Sequence, residues 1–214
     1  MQARYGASST STSSREPAAA GGRAAPRTTD GLAIPPGIKV LLAEDNLVNR
    51  KYYLTGGVGA RSGSEAFGDA YELPNAEAYT ETCAAIGNAL WNYRLFLLHG
   101  ESQYMDVFER VLYNGLLSGV SLTGDRFFYQ NPLESSGGYA RSPWFEVACC
   151  PPNMTRFLPS LPGYVYATKD DVVFVNLFIA GSGSFDLGGR SVAITQETRY
   201  HWDGAVKLTV APER

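Results

Sequence analysis

Histidine and cysteine are scarce in this sequence: two His and three Cys in 214 residues. An odd cysteine count rules out a complete disulfide framework. Adjacent cysteines rarely bridge each other either, because disulfide geometry needs more separation than one peptide provides. Charge of either sign is also not in excess, since 18 Lys and Arg against 21 Asp and Glu leave a net charge of -3. That balance excludes a general attraction to nucleic acid or to an anionic membrane. No apolar run approaches the roughly 20 residues of a membrane span, and the N-terminus lacks the apolar segment of a secretory signal. A cytoplasmic location is favoured, with neither nucleic acid nor membrane as partner. Walker loops, GxSxG elbows and basic-aromatic grooves are missing too. What remains is a globular composition, 44% hydrophobic and 18% charged, long enough for one domain or two small ones. Within it, two of the three thiols stand side by side, in EVACCPPN from Glu146 to Asn153. Reduced thiols in that pattern point to metal binding or catalysis.

The chain divides by composition. Residues 1–36 are rich in Ser, Thr, Ala, Gly and Arg and are read as a disordered tail, because almost nothing there could be buried to offset the entropy of ordering. A transit peptide is the competing reading, since Arg4, Arg15, Arg23 and Arg27 outnumber Glu16 and Asp30. The run IKVLLAED within residues 37–50 is similar to the first strand of a response-regulator receiver, with Glu44 and Asp45 as its paired acids. The strand-helix alternation such a fold needs does not follow, so residues 37–50 are read as a junction. From Lys51, YYLTGGVGARSGSEAFGDAYELPN reads as an ordered loop. Cys83, Ile86, Leu90, Tyr93 and Leu97 then recur at helical spacing, with Thr80 or Thr82 as cap and Gly100 as stop. A second helix is predicted from Ser102, with Tyr104, Phe108, Val111 and Leu112 as its stripe, so that HGES links a helical hairpin. Pro151 and Pro152 suit the first turn of a third helix. Beyond it the period changes to that of strands: VVFVNLFI (172–179), SVAITQETRY and AVKLTVAP, with Gly188-Gly189 and Asp203-Gly204 as turns. The fold class is α+β, helices first and antiparallel strands after.

Four potential ligands lie in two short clusters: Glu81 and Cys83 in ETC, Cys149 and Cys150 in ACC. Three thiolates and a carboxylate suit tetrahedral zinc. Residues two apart point in different directions on a regular helix, so Glu81 and Cys83 converge only at a helix end. Three buried small hydrophobes is the competing reading. Glu65 and Glu109 read as solvated loop and helix charges, Tyr129 as a packing residue, and His99 as a residue favoured by the helix dipole. Trp91, Trp144 and Trp202 are expected in the core.

YYLTGGVG, SEAFGDAYELPNAEAYTETCAAIGNALW, VLYNGLLSGV, FFYQNPLE, ACCPPN and TRYHWDG follow one another in an order that resembles glycoside hydrolase family 127, the β-L-arabinofuranosidases. The resemblance runs from about Lys51 to the C-terminus. It implies a retaining glycosidase acting on an L-arabinofuranose-containing glycan or glycoconjugate. Cys149 would be the nucleophile, Glu65 the general acid/base, and Glu81, Cys83, Cys149 and Cys150 the ligands of a Zn²⁺ cofactor. Tyr129 falls on a sugar-contacting tyrosine and Glu109 on another active-site glutamate. The implied fold is an (α/α)6 barrel followed by a β-sandwich. This chain would carry part of the barrel in residues 51–163 and the start of the sandwich in residues 164–214. The barrel segment that supplies the family's sugar-binding histidines has no counterpart here. A zinc-binding remnant without turnover is therefore carried as the alternative, with a receiver-containing signalling protein far behind. A homodimer is left open.

Overall fold

A computed structural model describes residues 54–69 and 71–212, and all of them fall in one unit, Ile34–Arg214. The tail expected over 1–36 and the receiver-like stretch 37–50 lie outside the described residues. Helix α1, Thr82–His99, is followed by α2, Ser102–Val111. A π-helical turn at Leu112–Leu116 and a 3₁₀ turn at Leu117–Gly119 extend α2. Helix α3 is Cys150–Phe157, and after a 3₁₀ turn the short α4 is Pro162–Val165. Strands β1 (Tyr166–Lys169) and β2 (Val172–Val175) form a two-stranded antiparallel sheet. Strands β3 (Gly181–Asp186), β4 (Ser191–Thr198) and β5 (Val206–Pro212) form a three-stranded antiparallel sheet in chain order. The α+β class is thus observed. Among the described residues, no helix is long and apolar enough to cross a membrane.

Helix ends follow their residues. Gly100 closes α1 in the left-handed region at φ 71°, where only glycine is at ease, and its N–H reaches the Phe96 carbonyl. Prolines occupy the first turn of α3, which needs no amide donors there. The threonines, by contrast, do not cap α1. Thr82 is its first helical residue and donates its hydroxyl to the Phe128 carbonyl at 2.8 Å, while Thr80 Oγ1 donates to the Asn131 carbonyl at 2.6 Å. Both hydroxyls go to a distant segment that sequence spacing cannot reveal.

The core joins Ile86, Ala89 and Phe96 of α1 to Met105, Phe108 and Val111 of α2, with Leu112, Leu116, Met154, Phe157 and Leu177. Each large side chain fully buried here stabilises the fold by about 1.5–3 kcal/mol relative to exposure. The stripe predicted on α1 is rotated. Leu97 is 51% exposed, whereas Asn88 and Asn92 are buried. Asn88 Nδ2 donates to the Gly56 carbonyl at 2.9 Å, and Asn92 Nδ2 donates to Asn88 Oδ1 at 2.7 Å. Paired amides can be buried, so polarity misdirected the phase of the helix.

Two further expectations are corrected. The run 172–179 is strand only as far as Val175; Asn176 then turns, its N–H bonded to the Val165 carbonyl at 2.9 Å. Trp144 and Trp202 are 60% and 88% exposed. Trp202 sits in a tight turn, its N–H on the Arg199 carbonyl, where a side chain points outward. Trp91 is half-buried.

The Gly-rich loop 55–60 lies against the extended α2. A Cβ on Gly56 would fall 2.6 Å from Val111 Cγ2, and one on Gly115 would fall 3.2 Å from the Thr55 carbonyl oxygen. Glycine at both places permits this backbone approach. The loop then makes a short antiparallel bridge, Arg61 with Ala66, around a 3₁₀ turn at Ser62–Ser64. Arg61 is clasped from outside by Glu72 and Asp69.

Candidate active site

Four segments converge. The bridged turn ends in Glu65, which adopts the left-handed region at φ 50°, ψ 41°. The buried segment Ala78–Thr80 leads into Glu81, the residue preceding α1. Thr80 itself has φ 34°, a strained conformation for a β-branched residue. It is held there by its N–H on the Gly59 carbonyl at 2.9 Å and its hydroxyl on Asn131. The third segment, 128–131, is laced to the second: Thr82 N–H donates to the Tyr129 carbonyl at 3.0 Å, and Asn131 N–H to the Tyr79 carbonyl at 3.3 Å. The fourth is the start of α3, where Cys149 is the residue before the helix and Cys150 its first residue.

These segments bring Glu81, Cys83, Cys149 and Cys150 together with all four ligand atoms within 4.8 Å of one another. Cys149 Sγ donates to Glu81 Oε1 at 3.2 Å, Cys150 Sγ reaches the same oxygen at 3.6 Å, and the two sulfurs are 3.7 Å apart. Cys150 is fully buried, while Cys83 and Cys149 are half-buried. The donor set fits zinc. With Zn–S near 2.3 Å, the edge of a regular tetrahedron is about 3.8 Å, close to the 3.7 Å between adjacent sulfurs.

The thiols share protons unevenly. Hydrogen bonding from Cys150 is the main reason the Cys83 pKa falls to about 7, helped by Asn153 and Cys149 against the cost of burial. Cys150 moves up in response, chiefly through Cys83 and then through burial. Burial pushes Cys149 up to about 11, although the Tyr129 hydroxyl pulls it down. The reciprocal effect raises Tyr129, with Cys149 as its largest cause and burial next. The Tyr129 ring also meets Tyr79 at 6.4 Å and Phe145 at 5.5 Å between centroids.

Glu65 is exposed and belongs to the same neighbourhood, since its carboxylate acts on both Tyr79 and Tyr129. Glu109 lies on α2, half-buried. Its pKa is raised by burial and then by Asp106, against a hydrogen bond with Tyr200. Asp106, Tyr113 and Tyr200 are among its neighbours. His99 stacks on Tyr104 and His201 meets Tyr113, on other parts of the chain. Sequence spacing passed over Tyr79 and Asn153. Tyr79 had no local signal, because the positive φ of Thr80 breaks the alternation an extended segment would show. For Asn153 the signal was helical spacing of three from Cys150.

The sequence model of the β-L-arabinofuranosidase GH127 catalytic domain matches residues 43–163, beginning inside the receiver-like stretch. The chain belongs to the GH127 family. It is 34% identical over 179 residues to a non-reducing end β-L-arabinofuranosidase of Bifidobacterium longum subsp. longum, covering 78% of this chain and 27% of that protein. Among solved structures, a GH127 β-arabinofuranosidase shares 58% identity and a TM-score of 0.75, over 78% of this chain and 26% of its own. A GH127 β-L-arabinofuranosidase from Geobacillus stearothermophilus T6 shares 43% identity and a TM-score of 0.76, over 79% and 28%. The chain spans about a quarter of the length of these GH127 relatives.

Proposed function

We propose that this chain carries the reacting groups of a retaining glycoside hydrolase for β-L-arabinofuranosides, the substrate being an L-arabinofuranose-containing glycan or glycoconjugate. The observation that carries the reading is the convergence of one carboxylate and three thiols from two segments, the Cys149 sulfur lying 3.2 Å from Glu81 although 68 residues separate them. GH127 membership supplies the reaction class. Residues 51–163 would form part of an (α/α)6 barrel and residues 164–214 the start of a β-sandwich.

Glu81, Cys83, Cys149 and Cys150 would hold zinc, which when bound favours the thiolate form of its cysteines by lowering their pKa. Cys149 is the suited nucleophile because it is accessible where Cys150 is sealed, and because the Tyr129 hydroxyl is directed at its sulfur. Its thiolate attacks the anomeric carbon. The C–S bond forms as the glycosidic C–O bond breaks, and Glu65 gives its proton to the departing oxygen. Water then attacks the same carbon while Glu65 takes a proton from it, and the C–S bond breaks to return the thiolate. Two displacements retain the configuration. Tyr129, beside the nucleophile, is suited to touch the sugar. Replacing Cys149 with Ala should abolish hydrolysis of an aryl β-L-arabinofuranoside, and activity surviving that change would remove Cys149 from the role.

A zinc-binding module without turnover is the second reading, favoured by a donor set that suits a tetrahedral ion whether or not a sugar is bound. It predicts about one zinc per chain, lost on replacing Cys83 or Cys150, with no hydrolysis at all.

A further inference from the structure

Thr80 stands in a conformation that its residue type avoids. Its φ is 34°, on the left-handed side where a β-branched side chain crowds its own backbone. It does so in the interior, at 2% exposure. Strain of this kind persists only where the surroundings over-determine it, and it gathers at functional sites. The surroundings of Thr80 do over-determine it. Its N–H donates to the Gly59 carbonyl at 2.9 Å and its hydroxyl to the Asn131 carbonyl at 2.6 Å. The carbonyl of the preceding residue, Tyr79, accepts the Asn131 N–H at 3.3 Å. The methyl group lies against the Gly-rich loop, where a Cβ on Gly57 would come within 3.1 Å of Thr80 Cγ2. Two separate segments, 57–59 and 131, thus grip one residue.

The strain produces a change of direction. A threonine that had only to pack could do so in the extended region at no cost, and the chain would then run straight from Tyr79 into α1. The turn at Thr80 instead delivers the next residue, Glu81, to the thiols. Glu81 Oε1 lies 3.2 Å from Cys149 Sγ and 3.6 Å from Cys150 Sγ. On its other side Thr82 is pinned as well, its N–H on the Tyr129 carbonyl at 3.0 Å and its hydroxyl on the Phe128 carbonyl at 2.8 Å. The carboxylate therefore springs from a backbone fixed before and after it.

We propose that Thr80 is the positioning residue of Glu81: its strained backbone, locked by the Gly59 and Asn131 carbonyls, holds the carboxylate at the three thiols. This rests on the reading of Glu81, Cys83, Cys149 and Cys150 as a metal-binding set. A carboxylate on an unrestrained chain would lose freedom when an ion bound, whereas one already held at the thiols loses little. Groups that orient a ligand govern metal affinity for this reason. Thr80 itself offers no atom to the ion.

Thr80→Val keeps the branched shape and removes the hydroxyl, so the Asn131 carbonyl no longer holds the turn. Zinc affinity, measured by competition with a chromophoric chelator, should fall about ten- to a hundredfold. Thr80→Ser keeps the hydroxyl and should restore most of the affinity. Thr80→Gly is the second variant, in case valine prevents folding. Glycine adopts this φ without strain, yet nothing then fixes the turn, so affinity should fall as in Thr80→Val. The deciding measurement is a double-mutant cycle. In a Glu81→Ala background, where three thiols remain to bind the ion, Thr80→Val or Thr80→Gly should cost no further affinity, because the residue that Thr80 orients is gone. A loss of the same size with and without Glu81 would make Thr80 a general support of the fold and overturns the proposal. Unchanged affinity in both Thr80→Val and Thr80→Gly overturns it too. An unaltered chain that takes up no zinc discards the metal-binding reading itself, and the proposal with it.

Discussion

Asn88 is a buried amide whose main work is done on another segment. Its Nδ2 holds the Gly56 carbonyl and its Oδ1 accepts from Asn92, so the loop leading to Glu65 hangs from α1 by this side chain. Asn88→Ala should cost about 1–3 kcal/mol, since the buried Gly56 carbonyl loses its donor while the Asn92 amide keeps the Asn88 backbone carbonyl at 2.9 Å; the midpoint of urea unfolding measures it. Gly119 makes a related case. A Cβ there would fall 2.6 Å from Thr82 Cγ2 and 2.7 Å from its Oγ1. Thr82 is a stiff side chain directly after Glu81, so Gly119→Ala should weaken zinc binding about tenfold, roughly 1.4 kcal/mol, without touching a ligand. Competition with a chromophoric chelator reads this out, and unchanged affinity would mean that Glu81 is positioned independently of Thr82. At this scale the sequence was legible where chemistry is rare, as with the three cysteines and Glu81. It was opaque where burial depends on a partner far along the chain, as for Asn88, whose amide reaches the Gly56 carbonyl.

Elements announced themselves through their ends. Gly100 and the Pro151-Pro152 pair fixed a helix stop and a helix start because backbone conformation at those residues has few alternatives. The β-branched run after Val172 was legible as strand, but its break at Asn176 depends on the Val165 carbonyl, a partner no local pattern announces. The π-helical turn at Leu112–Leu116 escaped notice for the same reason, since its pattern differs from an α-helix by one residue of hydrogen bonding. The bridged turn that carries Glu65 has a pH limit of its own. Hydrogen bonding from Arg61 is the main reason Glu72 is held down at about 2, with the Asp69 N–H next. The folded carboxyl thus titrates below the unfolded one, so the clasp contributes fully above the unfolded value near 4.3 and is lost as pH falls toward 2. Protection of the Ala60, Arg61 and Ala66 amides, their exchange measured against the intrinsic rate at each pH, should fall over that window. In Glu72→Gln protection should already be low at neutral pH, and a pH-independent protection would show that the turn holds without the clasp.

For the whole chain, GH127 membership rests on motifs spread along most of its length, which is why the family was readable before the fold. The (α/α)6 barrel is implied by the resemblance alone, since the chain spans only about a quarter of the relatives' length. The thiol protonation states make a prediction at this scale. With Cys149 raised to about 11, Cys150 raised as well and Cys83 near 7, zinc binding at pH 7 should release roughly two to three protons per ion. Affinity should climb as pH rises from 6 to 8. Proton release in weak buffer measures this, and release of fewer than one would mean that the cysteines are not the ligands. Chelation should also lower the melting temperature, because the cluster ties the start of α1 to the start of α3. The long sequence interval between the two halves of the donor set has a temporal consequence. At about 5–20 residues per second, a ribosome completes the first half several seconds before Cys149 exists. Through that interval the α1–α2 hairpin must stand on its apolar contacts alone, and Cys83 is a solitary thiol open to any passing metal or oxidant. Any metal held by all four donors would therefore arrive only after Cys149 and Cys150 have been made, so a metal supply would act on chains that already carry both halves of the donor set rather than as a template for the first half.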